Sequence, residues 1–422
     1  MNNFDFKNSF FVTLPSTLII AIPLLLITGP FFSDLALSIC SVIFIINFFY
    51  DKEVKNFFKN RLFVYFIIFC IYLILNSIFI SSEKYISLKS SIFYFRFGVF
   101  SLCTWYLVDK YENLMKYIFI SILFCFLILI LDGYIQYFFG KNIFGWKLYP
   151  GPRISSFFGD ELIYGSYLSR FLPILFGFMI LNYELRKIDK NILYLTYFIF
   201  ILADVAVFLS GERTAFFFIN LGAILFILSS QNYKITRSLI FISSLILISV
   251  FSFVSTDSKK RIIDQTFDEM NIGNDNFYAF TKTHHEHYKS ALMMYKDYPI
   301  FGIGHKNYRF YCNDKKYKIS VNSCTTHPHN AYIQILTELG LIGIIFVLPL
   351  TFIIFKILLR NIIANFFRTK TKNQLNDFEV CMIVAIIISI WPLSPGGNPF
   401  NNWLSIIIYY PIGFVLWSLN NK

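Results

Sequence analysis

Charge is scarce in this chain. Asp, Glu, Lys and Arg make up 15% of its 422 residues, against 56% hydrophobic. That scarcity excludes an ordinary soluble domain, and several apolar stretches of about 18 residues or more mark an integral membrane protein. Acidic residues are the scarcer sign, leaving a net charge of +12. The surplus does not call for nucleic acid, because the basic residues sit mainly in short loops between apolar runs. No glycine loop of the phosphate-cradling kind is present, so nothing points to nucleotide hydrolysis. Internal repeats, low-complexity tracts and inverted half-to-half symmetry are missing too, which counts against a transporter or flippase built from mirrored halves. A small-residue cleavage site is also missing after the short polar start Met1–Ser9. The first apolar stretch therefore reads as a retained helix. Cysteine is sparse, and five of the seven (Cys40, Cys70, Cys103, Cys125, Cys381) lie in or beside apolar runs as packing residues. Cys312 and Cys324 differ. They lie twelve apart in a polar loop, and in an oxidising compartment they are a plausible disulfide.

What remains is about twelve apolar spans, at roughly 10–29, 31–49, 62–80, 91–109, 117–136, 161–182, 192–209, 213–230, 238–254, 331–355, 379–394 and 401–418. All should be helices, since an open strand cannot satisfy its backbone in lipid. The expected fold is an all-α polytopic membrane protein in three parts. Residues 1–254 carry nine membrane helices, 255–330 form a loop subdomain with short amphipathic helices, and 331–422 carry three more. With the N-terminus in the cytoplasm, sixteen cations fall in the inside loops: Lys52, Lys55, Lys59, Arg61, Lys110, Lys116, Arg186, Lys187, Lys190, Lys234, Arg237, Lys356, Arg360, Arg368, Lys370 and Lys372. The short outside loops hold Lys84, Lys89, Arg96, Lys141, Lys147 and Arg153. This bias puts both termini inside and the long loop outside.

All six histidines (His284, His285, His287, His305, His327, His329) fall in that loop, so chemistry is expected at the outer face. Within it, His284 to Asp297 has a helical pattern with Tyr288, Ala291, Leu292 and Tyr295 as one apolar stripe, ended by Pro299. His329 is expected on the first turn of the helix that follows Pro328. There the positive end of the helix dipole disfavours its protonated form, as a general base requires. The bland alternative is an N-cap or surface histidine. Asn330, Gln334 and Glu338 recur every four residues as a polar stripe facing either a cavity or a structural partner. Arg170, inside a span beside Pro173, and Arg213, opening another, are either snorkelling residues or forks for phosphate oxygens. Asp132 and Asp204, near outer helix ends, are expected to pair with such arginines. His284-x-x-His287 and His327-x-His329 are also open to a metal reading, but no cysteine or carboxylate completes a familiar spacing.

Four segments carry a resemblance: Arg153-Ile154-Ser155-Ser156-Phe157-Phe158-Gly159, Ser210-Gly211-Glu212-Arg213-Thr214-Ala215, Pro299-Ile300-Phe301-Gly302-Ile303-Gly304, and Cys324 through Tyr332 followed by Glu338-Leu339-Gly340-Leu341-Ile342-Gly343. Over about 150–345 the chain resembles the O-antigen ligase and O-antigen polymerase superfamily of bacterial inner-membrane glycan transferases. The resemblance implies an undecaprenyl-diphosphate-linked glycan as donor and glycosyl transfer on the periplasmic side with neither metal nor cofactor. The acceptor it implies is lipid A–core or, for a polymerase, another lipid-linked glycan; ligation is the leading expectation, and protein O-glycosylation the remainder. It places the catalytic histidine on His329, next to Asn330, and the diphosphate-binding arginines on Arg153 and Arg213. One slot departs: where many relatives carry an arginine four residues before an aromatic, this chain has His284 before Tyr288. With Arg170 and Asn330, His284 completes the expected substrate-binding set.

Overall fold

The computed structural model describes residues 10–111, 113–151, 153–270, 278, 280–369 and 374–421. Lys370 and Lys372, two of the cations counted for orientation, lie outside the described residues. The first seven helices are α1 (Phe10–Ile27), α2 (Pro30–Tyr50), α3 (Lys52–Phe57), α4 (Arg61–Phe79), α5 (Lys84–Ser91), α6 (Phe95–Lys110) and α7 (Leu114–Phe139). Beyond a looped stretch come α8 (Tyr164–Glu184), α9 (Lys190–Leu209), α10 (Arg213–Ser229) and α11 (Lys234–Val254). The long loop holds α12 (Thr256–Lys259), α13 (Gln265–Met270), α14 (Lys282–Asp297) and α15 (Tyr308–Tyr311). Then follow α16 (Ala331–Phe366), α17 (Asp377–Ser389) and α18 (Asn402–Asn420). Among the described residues no strand forms beyond two isolated bridges.

Every expected span meets a helix. Ten helical stretches among the described residues are long and apolar enough to cross a membrane, counting Lys84–Lys110 as one. The remaining two spans are the shorter α10, with 17 residues, and α17, with 13. Polarity sorts the helices into inner and outer. From Tyr167 to Ile180 every residue of α8 is buried, and so is every residue of α17 from Asp377 to Ile388. A helix apolar on all faces belongs inside a bundle, and α17 packs between α8 and α18. The outer helices turn Phe31, Phe79, Phe253 and Phe352 outward, a surface that hydrocarbon tolerates and water does not.

The helix α16 is broken once. Gly340 stands at φ 64°, ψ −163°, which leaves neighbouring backbone groups without helical partners. The Pro299–Gly304 segment fills the break. Leu341 N–H donates to Pro299 O (2.9 Å) and Ile342 N–H to Ile300 O (3.3 Å), while Ile303 N–H donates to Thr337 O and Gly304 N–H to Glu338 O, both at 3.0 Å. Contact is so close that a Cβ on Gly340 would lie 2.2 Å from Ile300 O, and one on Gly302 2.4 Å from Glu338 C. Two motifs that are separate in sequence are therefore one joint, and it anchors the loop to the helix that leads from His329.

The amphipathic helix α14 exists, but its buried face is rotated from the expected stripe. His287, Ser290, Ala291 and Met294 are buried, whereas Leu292 is 39% exposed. Hydrogen bonding moves the face: His287 Nε2 lies 2.9 Å from Asn322 O, and Thr337 Oγ1 donates to Ala291 O at 3.1 Å.

Candidate active site

His329 is not on the first turn of α16. Asn330 is the N-cap, its Oδ1 accepting from Tyr332 N–H and Ile333 N–H (3.0 and 3.1 Å) while Nδ2 donates to Pro392 O at 2.8 Å. His329 lies one residue outside the helix, in the left-handed region at φ 55°, a conformation uncommon for residues with a side chain. Gly396 N–H holds it by donating to His329 O at 2.7 Å. Asn330, expected against substrate, thus has both ends of its amide committed to fixing the backbone under the histidine.

Three more imidazoles surround it. Ring centroids of His327, His287 and His284 lie 4.3, 5.4 and 5.6 Å from that of His329. Burial first, and the three neighbouring rings second, push His329 down to about 3. The helix dipole is therefore not the main reason that it is neutral. Burial likewise takes His284 and His327 to about 4. Among the described residues no three His, Cys, Asp or Glu side chains converge as metal ligands. A hydrogen bond of 2.8 Å joins His284 Nδ1 to Thr281 Oγ1, and as a neutral ring His284 cannot supply the charge of the arginine whose slot it holds. Of the other two histidines, His305 is fully buried, 3.0 Å from Ser90 Oγ and against the Phe400 ring, and serves the packing of the loop.

The arginines gather beside this cluster. Arg213 is gripped from α13 and the turn before it: Glu269 accepts from Nη1 and Nη2 at 2.7 and 3.0 Å, Gln265 Oε1 from Nη2 at 3.2 Å, and Arg261 O from Nε at 2.9 Å. Arg213 acts electrostatically on His284, which links the arginines to the histidines. Arg153 stands in the fields of Glu212 and Arg213, its Nε buried without a hydrogen-bond partner. A third arginine, which the sequence reading passed over, joins them. Arg261 Nε donates to Gly211 O at 2.9 Å, and burial and the charges of Arg153 and Arg213 lower its proton affinity. A cue was present: Lys259-Lys260-Arg261 is a basic run on the side the charge bias leaves poor in cations. Gly211 makes room for both, since a Cβ there would lie 2.8 Å from Arg261 Cδ and 3.7 Å from Arg153 Cγ. Glu212 is the counterweight. Buried, it accepts from Gly165 N–H (2.6 Å) and Ser166 N–H (3.1 Å) at the start of α8.

Arg170 is 4% exposed, so it does not snorkel. Its Nη1 donates to Ser166 Oγ at 2.8 Å, and its guanidinium lies over the Phe218 ring. It lines a cavity of about 810 Å³ that also touches Lys306, Arg309 and His327. The polar stripe of α16 resolves to a structural network. Glu338 Oε2 accepts from Gln334 Nε2 at 3.1 Å and Oε1 from Tyr308 N–H at 3.3 Å, and Gln334 reaches Asn398. Asp132 and Asp204 do not pair with arginines among the described residues. Asp132 accepts from Ser156 Oγ at 2.6 Å and Ile143 N–H at 2.9 Å, and Asp204 from Ser244 Oγ at 2.7 Å. Cys312 and Cys324 form a disulfide, Cα atoms 5.0 Å apart.

Residues 197–348 match the family described as O-antigen ligase. The matched stretch runs from α9 into α16 and takes in Arg213, Arg261, the histidine cluster and the broken helix. Arg153 and Arg170 lie before it. No curated protein matches the chain.

Proposed function

We propose, on the match of residues 197–348 to the family described as O-antigen ligase, that this chain is a membrane glycosyltransferase of the O-antigen ligase and polymerase superfamily and transfers a glycan from undecaprenyl diphosphate to an acceptor hydroxyl at the periplasmic face. Ligation to lipid A–core is the reaction we favour. The observation that carries the reading is a buried histidine cluster around His329 that is linked through His284 to Arg213, and through it to Arg153 and Arg261, arginines whose planar forks suit phosphate oxygens. Glu269 already sits on Arg213 as a paired carboxylate would, so a diphosphate entering this cradle exchanges one anion for another.

In the reaction, an oxygen of the acceptor attacks the anomeric carbon of the donor, and the bond from that carbon to the diphosphate breaks. The hydroxyl proton goes to His329, and the electron pair leaves with the diphosphate, whose charge Arg153, Arg213 and Arg261 stabilise. A histidine held at about 3 is a weak base in the empty enzyme. Negative charge brought in by the donor raises its proton affinity when transfer needs it. In this proposal the residues supply charge stabilisation and a base from their own side chains, and no step calls on a metal.

The test is purified protein in detergent with lipid-linked glycan and acceptor, chelator present throughout. His329→Ala is expected to lose about 10²–10⁴-fold in turnover while still binding donor. Arg213→Lys is expected to raise the donor KM, because lysine keeps the charge but loses the fork. Near-wild-type turnover by His329→Ala defeats the assignment, and chelator-sensitive turnover moves the histidines to a metal. Deleting the gene separates the two acceptors: accumulated lipid-linked polymer marks a ligase, and core capped by a single repeat marks a polymerase.

A further inference from the structure

The cavity beside His327 is unused by the donor cradle. It holds about 810 Å³, toward the upper end of small-ligand pockets. Its walls come from segments far apart in sequence: the turn between α1 and α2, the loop around Trp146, the start of α8, α15, and the turn before α18. Three cations line it, Arg170, Lys306 and Arg309, against one acid, Glu161. Among the described residues neither Lys306 nor Arg309 forms an ion pair. The Nε atoms of Arg170 and Arg309, and Nε2 of His327, are buried without hydrogen-bond partners. Glu338 acts on Lys306 electrostatically, but its oxygens are taken by Gln334 and the Tyr308 backbone. Lys306 is held in the left-handed region at φ 57°, a conformation that only its surroundings sustain. Unpaired cations in a concavity focus a positive field and call for an anion. The aromatic faces of Trp146 and Trp403, also in the wall, suit the C–H faces of sugar rings.

Position decides which substrate this is. The cavity reaches His327, whose ring lies 4.3 Å from His329, while the donor arginines approach through His284. Glu212 acts on both Arg153 and Arg170, so cradle and cavity are neighbours. We propose that this cavity is the acceptor subsite, and that it takes a saccharide bearing phosphate or carboxylate, gripped by Lys306, Arg309 and Arg170. The role as acceptor subsite rests on the transfer reaction proposed above; the binding of an anionic sugar does not.

The experiment keeps the two apart. Ligand-observed NMR on full-length protein in a non-ionic detergent is run with mannose 6-phosphate, glucuronic acid, mannose and inorganic phosphate. The two anionic sugars are expected to bind, mannose at least tenfold more weakly, and Lys306→Gln/Arg309→Gln to lose at least tenfold for both. Arg309→Lys, which keeps the charge, is expected to retain binding. Equal binding of mannose and mannose 6-phosphate overturns the proposal, as does indifference to the double substitution. Inorganic phosphate binding as tightly as the sugar phosphate reduces the cavity to a simple anion site and also overturns it. In the transfer assay the double variant is expected to raise the acceptor KM at least tenfold with the donor KM unchanged; a raised donor KM instead refutes the division between cradle and cavity. If the unaltered protein transfers no glycan yet binds the anionic sugars selectively, the reaction fails and the site stands.

Discussion

The imidazole of His329 is kept neutral by burial, and it shares that condition with His284, His305 and His327. All four are pushed to about 3 or 4, well below the ordinary value near 6.5. This has a consequence for stability whose sign is fixed. As pH falls below about 6.5 the unfolded chain takes up protons at these positions, while the folded chain does not until about 4 to 3. The unfolded state then binds more protons, so stability drops as pH falls through that window and is fully present above it. The melting temperature is expected to be clearly lower at pH 5 than at pH 7, with the long loop losing amide-exchange protection first. Equal melting temperatures at the two values would mean that these rings are not buried neutral in the folded protein.

At the scale of elements, the joint between Pro299–Gly304 and the break in α16 fixes where the histidine stands. Gly340 combines a left-handed φ with a neighbour 2.2 Å from where a Cβ would be, so Gly340→Ala carries both strain and a clash. A loss of about 1–3 kcal/mol is expected from the backbone conformation alone, with turnover falling further because Asn330 and His329 shift with the helix. Gly396→Ala, which meets nothing within 4 Å, is the control and should melt like the parent. The Cys312–Cys324 bond closes a second, smaller loop before the histidine. Replacing both cysteines by serine is expected to cost roughly 3 kcal/mol by chain entropy, and mass-spectrometric counting should find no free thiol at either position in protein from oxidising cells. The helices themselves were legible, since length and apolar runs define them without tertiary information. His329, Arg153 and Arg213 were nominated by motif, and folding sets Arg153 in the field of Arg213 and His329 among three other imidazoles. The joint was not legible, because its partners are 34 or 42 residues apart and each alone looks like a turn or a helical glycine. The face of α14 was missed for a related reason: His287 and Ser290 look polar in a pattern, yet His287 is drawn inward by the Asn322 carbonyl. Arg261 was missed because its partners, Gly211 and Arg213, sit about 50 positions earlier and only folding brings them near.

Across the whole molecule, polar function gathers at one end of an apolar bundle. The histidine cluster, the arginine cradle and the cationic cavity all lie where the long loop folds over the helices, while a separate buried ion pair, Arg237 with Asp377 at 2.8 Å, joins α11 to the start of α17. In a membrane the two ends would face different compartments, and the lysine and arginine bias of the loops gives the expectation of which is which. The donor's diphosphate would meet the arginines at the membrane surface, with its lipid tail in hydrocarbon and its glycan in water. The loop should then be periplasmic and the end bearing Arg237 cytoplasmic. Lys315, exposed on the loop, offers a handle. Lys315→Cys, in a variant whose five buried cysteines are replaced, is expected to react with a membrane-impermeant thiol reagent once the outer membrane is permeabilised, and Lys187→Cys only after the inner membrane is broken. Cys312 and Cys324 stay silent while bonded to each other. Labelling in the reverse order would turn the protein over in the membrane, place the base and its arginines in the cytoplasm, and remove the periplasmic acceptor from reach.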